Sequence, residues 1–73
     1  MIEVFKTNIE SESHAEEIIS AIHCFFKNYT ANFDLEDCDK ILRIKSVHEH
    51  IESSNMIVFL ANYGCDAIIL NDD

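Results

Sequence analysis

The chain has 73 residues, 48% of them hydrophobic and 26% charged, and its 14 acidic and 5 basic side chains leave a net charge of −9. So acidic a surface repels phosphate backbones and anionic headgroups, which argues against nucleic acid and membrane as partners and favours a basic protein or a cation. The hydrophobic content sets the chain apart from disordered acidic tails, at a size where one core is just sufficient, so residues 1–73 are read as a single domain.

There is no proline and a single glycine, Gly64, so neither a linker nor a glycine-rich phosphate loop is available. The longest apolar run, Met56 to Ala61, falls far short of the ~20 residues that cross a bilayer. Met1-Ile2-Glu3-Val4 has neither the basic head nor the apolar stretch of a secretory leader. Cys24, Cys38 and Cys65 are odd in number and not closely spaced, which fits reduced thiols better than a disulfide framework. A cytoplasmic location is expected.

Residues 2–8 are β-prone, with Ile2 and Val4 on one side and Phe5 on the other. Ser13 and Glu16 then stand in the S-x-x-E spacing of a capping box. After that cap, Ala15, Ile18, Ile19, Ile22, Phe25 and Phe26 recur with helical period, predicting an amphipathic helix that runs to about Lys27 and stops at Asn28. Tyr29 to Leu35 alternates, with Ala31, Phe33 and Leu35 on one face, and Lys40 to Lys45 alternates with Leu42 and Ile44 inward. The acidic turn Glu36-Asp37-Cys38-Asp39 joins them as a hairpin, and Asp34 or Glu36 is expected to oppose Arg43 or Lys45 on its outer face.

A second helix could be capped by Ser46 with Glu49, or begin later at Ser53. The later start is preferred because Met56, Ile57, Leu60 and Ala61 make the cleaner apolar face, with Ile51 tucking the loop down. Gly64 stops that helix, and Cys65 to Leu70 is a final strand. The order βαββαβ predicts an α+β, ferredoxin-like fold: a four-stranded antiparallel sheet with two helices on one face, the first and third strands central and the second and fourth at the edges. Asp34 and Glu36 would defend the second strand's exposed edge.

Two local stretches carry a resemblance. Asn32-Phe33-Asp34-Leu35-Glu36-Asp37 looks like the second strand and turn of the heavy-metal-associated domain family, and Gly64-Cys65-Asp66-Ala67 resembles that family's Gly-Tyr-Asp-Ala before its last strand. The family's M-x-C-x-x-C motif stands between the first strand and first helix, where two soft thiolates hold and hand over Cu(I) or Zn(II). Counting back from Asp34 puts Ile9 at the methionine, Ser11 at the first cysteine and His14 at the second. The resemblance thus implies a divergent member that keeps the scaffold and lacks the thiolate site. On the residues alone, Ile9 closes the core under the loop, Ser11 and Ser13 are cap residues, and His14 is an exposed first-turn histidine.

His48 and His50, with Glu49 and Glu52, form an imidazole-rich acidic loop that could hold a divalent ion weakly, although its spacing does not make a closed four-ligand zinc site. The three cysteines read as small, partly buried side chains, with Cys38 a poor nucleophile among acids. No carboxylate sits in apolar flanks that would raise its pKa within a cleft, so no enzyme and no cofactor is expected. The expectation is a non-enzymatic binding module that engages another protein, basic in character, through its sheet edge or acidic face. The same edge is open to a homodimer. The alternative is a nonstandard divalent-metal protein using His14 or the His48/His50 loop.

Overall fold

The computed structural model describes residues 1–47 and 50–70. Six elements follow in order: β1 (Ile2–Lys6), α1 (Glu12–Phe25), β2 (Tyr29–Asp34), β3 (Ile41–Ser46), α2 (Ser53–Ala61) and β4 (Ile68–Ile69). The strands form one antiparallel sheet in the order β2-β3-β1-β4, the expected ferredoxin-like arrangement with β1 and β3 central.

Register decides which side chains share a face. Phe5 pairs with Leu42 and Glu3 with Ile44 across β1 and β3, while Ala31 pairs with Ile44 and Phe33 with Leu42 across β2 and β3. Phe5, Leu42, Ile44 and Ala31 join Ile18 and Ile22 of α1 and Met56 and Leu60 of α2 in one buried cluster. Both helices therefore lie on the same face. Ile2, Val4, Lys6, Arg43 and Lys45 alternate to the other face, which no element covers. Ile51 and Ile9 are buried to 1% exposure, so each holds its loop onto the core as the sequence suggested.

Several boundaries and partners differ from expectation. The N-cap of α1 is Ser11, not Ser13: Ser11 is extended (φ −107°, ψ 144°) and its Oγ accepts the His14 N–H at 3.1 Å. The cause lies upstream, where the Thr7 hydroxyl donates to the Lys40 carbonyl (2.6 Å) and accepts the Ile9 N–H (3.3 Å), turning the chain into the core two residues early. α1 ends at Phe25 rather than Lys27, because Phe26 leaves helical geometry and its carbonyl accepts the Tyr29 N–H. Its buried face is Ala15, Ile18, Ala21 and Ile22. Phe25 is 65% exposed and meets the Phe59 ring edge-on, whereas the half-buried Phe26 stacks on Tyr29 and also meets Phe59 edge-on.

β2 stops one residue before Leu35, and β3 is shifted by one, since Lys40 adopts φ +49° in the turn. Register sets Asn32 opposite Arg43 and Thr30 opposite Lys45, so the expected acid–base pairs across the hairpin do not form. α2 is capped by Glu52; Ser53 is its first residue and donates to Glu3 Oε2 at 2.8 Å. That bond holds a carboxylate at the positive end of a helix dipole. Ala61, expected on the inner face of α2, is exposed. The last strand is only two residues long, and the Cys65 and Asp66 amides before it are held by other bonds, described below.

These burials separate two neighbouring residues of α1. Ile22→Ala is expected to cost about 2–4 kcal/mol in urea unfolding, the usual loss for a packed isoleucine, and Phe25→Ala less than ~1 kcal/mol. Equal losses would contradict the packing described.

Candidate functional site

Ser11 and His14, the residues that the resemblance singles out, lie at the junction of β1 and α1. That junction lies beside the junction of α2 and β4, because β4 pairs with the end of β1 (Phe5 with Ile69, Lys6 with Ile68). Two polar contacts lace the loops together. Asn8 accepts the Asp66 N–H on Oδ1 at 2.9 Å and offers its amide to Asp66 Oδ2 at 3.4 Å. His14 Nε2 lies 2.6 Å from the Tyr63 carbonyl oxygen. A carbonyl can only accept, so Nε2 carries the proton.

His14 is therefore half-buried and engaged, not the exposed first-turn residue the sequence suggested. Its ring lies over Gly64, which takes φ +77° as it ends the α2 turn; a Cβ there would stand 3.5 Å from His14 Cε1, an ordinary contact. The conformation, not the space, selects glycine.

Ser11 Oγ is occupied with the His14 amide and lies 3.3 Å from Ser13 Oγ. Ser11 and His14 thus serve a helix cap and an inter-loop staple. Among the described residues, the group of three His, Cys, Asp or Glu whose ligand atoms lie within 4.8 Å of one another is Asp37, Cys38 and Asp39 on the β2–β3 turn, and it does not include His14. There Asp37 Oδ1 accepts the Asp39 N–H, and Asp39 lies 3.6 Å from Lys6 Nζ. His48 and Glu49 lie outside the described residues; His50 is exposed, with Nε2 4.0 Å from Glu52 Oε2.

The cysteines divide differently from expectation. Cys24 and Cys38 are exposed rather than partly buried, while Cys65 is fully buried. Its N–H reaches the Leu60 carbonyl at 3.0 Å, tucking the side chain under the Gly64 turn. Burial, assisted by the adjacent Asp66 carboxylate, pushes the Cys65 thiol up to about 11 from 9.0.

No family model, curated protein or solved structure matches the chain. Among the described residues, no helix is long and apolar enough to cross a membrane.

Two outcomes follow. Ser11→Ala is expected to lower stability by about 1 kcal/mol in thermal or urea unfolding, the usual value of an N-cap, with Ser13→Ala costing clearly less. The raised Cys65 value means that, between pH 9.0 and about 11, the folded chain keeps a proton that the unfolded chain releases. Stability is then fully present below the unfolded value and falls as pH rises, by roughly 2–3 kcal/mol in total. Urea midpoints across that range, compared with Cys65→Ala, measure it. In native protein, Ellman's reagent should titrate Cys24 and Cys38, with Cys65 reacting only after unfolding.

Proposed function

We propose that this chain is a small, non-enzymatic interaction module of the cytoplasm, related in fold to heavy-metal-associated domains, which binds a basic protein partner. The observation that carries the reading is the use made of Ser11 and His14. The serine hydroxyl caps α1, and the imidazole donates to the Tyr63 carbonyl. In a metal-transfer domain the same loop must stay mobile and offer two soft donors. Here it offers a hard hydroxyl already hydrogen-bonded and a single imidazole, whose Nδ1 keeps a lone pair but has serine rather than a thiolate at the paired position, on a loop tied to its neighbour through Asn8 and Asp66.

What remains for recognition is surface. The chain carries 14 acidic residues on a small scaffold, and the edge of β2 is not paired with another strand. An acidic surface beside an open strand edge suits a partner that brings positive charge and extended backbone.

Calorimetric titration with Zn(II), Ni(II), Cu(II) and Cu(I) tests the reading. His14→Ala is expected to lower stability by about 1–2 kcal/mol through the lost staple, leaving metal binding as weak as in the parent chain. A micromolar or tighter site that disappears in His14→Ala would overturn the module reading in favour of a metal protein.

A further inference from the structure

β2 is the longer of the two outer strands, and its free edge is closed at one end and open at the other. The Ala31 N–H points away from β3 and donates to His23 Nε2 on α1 at 3.1 Å. The ring accepts there, so its proton is on Nδ1, and the imidazole covers this part of the edge. Antiparallel ladders alternate, so the N–H and C=O of Phe33 face outward as those of Ala31 do, one step beyond His23.

Beside that open step lies a groove of about 370 Å³, between the first half of α1 and the end of β2. Its apolar floor is formed by Ala15, Ile19, Phe33 and Leu35. Four acidic residues line it: Glu12 and Glu16 on α1, and on the strand side Asp34 and Glu36, where Asp34 Oδ1 accepts the Glu36 N–H. Among the described residues, the ion pairs are Lys6–Asp39 and His50–Glu52, so none of these four has a cation within 4.0 Å.

We infer that this groove receives an extended basic segment of a partner protein, added to β2 as a fifth strand beside Phe33. The inference rests on reading the chain as an interaction module and names the surface and the chemistry of what it takes. Backbone bonds to Phe33 supply strand addition, alternate apolar side chains fall onto Phe33 and Leu35, and lysine or arginine meets the four carboxylates. A second copy of the chain suits the groove poorly, because pairing two β2 edges brings Asp34 and Glu36 of one copy towards the same residues of the other.

The test uses the full chain, isotope-labelled, titrated with a short capped peptide of alternating lysine and valine and followed by amide chemical shifts. Saturable shifts at residues 12–19 and 32–36, with slowed hydrogen exchange at the Phe33 amide, are expected. The double variant Glu16→Lys/Glu36→Lys should bind at least ~10-fold more weakly, and the off-groove control Glu10→Lys/Glu17→Lys within about twofold of the parent. All four substituted side chains are exposed, so folding is preserved. A matched peptide of glutamate and valine should not bind.

Equal weakening by the two double variants would reduce the effect to net charge and overturn the inference. So would the absence of shifts at ~1 mM peptide, where even a weak site of millimolar Kd is half filled. Concentration-dependent association in sedimentation, abolished by Glu36→Lys or by a bulky Phe33 replacement, would assign the edge to a second copy instead. Saturable peptide binding at another surface would sink the groove and leave the module reading standing. A His14-dependent metal site would do the reverse.

Discussion

A four-stranded sheet with only one apolar floor constrains everything else in this molecule. Phe5, Leu42 and Ile44 occupy the middle of that floor, and Ile18, Ile22, Met56 and Leu60 descend on it from the two helices. Neither helix can hide its inner face without the strands that follow it, and the strands cannot hide Leu42 and Ile44 without both helices. Burial is thus mutual, and a chain this short has no second cluster to fall back on. The shape follows: 31 × 30 × 19 Å, the thin dimension being one sheet with one layer of helices.

The same topology brings the β1–α1 and α2–β4 junctions together. β4 runs antiparallel beside β1, so the chain leaving β1 meets the chain entering β4 at one end of the molecule. In such a place a chain has two options. It can leave the loops loose and offer their side chains to a ligand, or join them and gain rigidity. This sequence takes the second: Asn8 with Asp66, His14 with the Tyr63 carbonyl, and Ile9 and Cys65 buried beneath. Each polar bond is worth only about 1 kcal/mol, yet together they order two loops that the two-residue β4 alone would hold poorly.

The fold was legible because it is written in period. Alternation at Ala31, Phe33, Leu42 and Ile44, and helical spacing at Ala15, Ile18 and Ile22, identify the inner faces without reference to anything distant. What could not be read is what depends on contacts between segments. Ser11 and Ser13 are equally good caps by composition; the turn that favours Ser11 is held by Thr7, whose bond to Lys40 joins the end of β1 to the start of β3. Phe25 and Phe26 both fit an apolar stripe, and only the position of Phe59 and Tyr29 decides that Phe26 packs and Phe25 stays out. His14 stands out in the sequence, but its partner is a backbone carbonyl 49 residues away. Backbone donors and acceptors leave no mark in side-chain patterns. His23 was passed over for the same reason, its partner being the Ala31 N–H.

Net charge misleads in a related way, because it averages over surfaces that do not communicate. Of the 5 basic residues, Lys6, Arg43 and Lys45 alternate onto the uncovered face of the sheet, opposite the helices. The carboxylates of Glu12 and Glu16 project from the helix layer. The shortest extent of the molecule is 19 Å, about two screening lengths at physiological salt. A partner approaching along α1 therefore meets Glu12 and Glu16 with Lys40 nearby only at the Leu35 carbonyl, and one approaching the outer face of the sheet meets Arg43 and Lys45, with Lys6 paired to Asp39, despite the overall value of −9. Selectivity for positively charged segments is thus a property of one flank, set by the strand period that sends Arg43 and Lys45 one way and Phe33 the other.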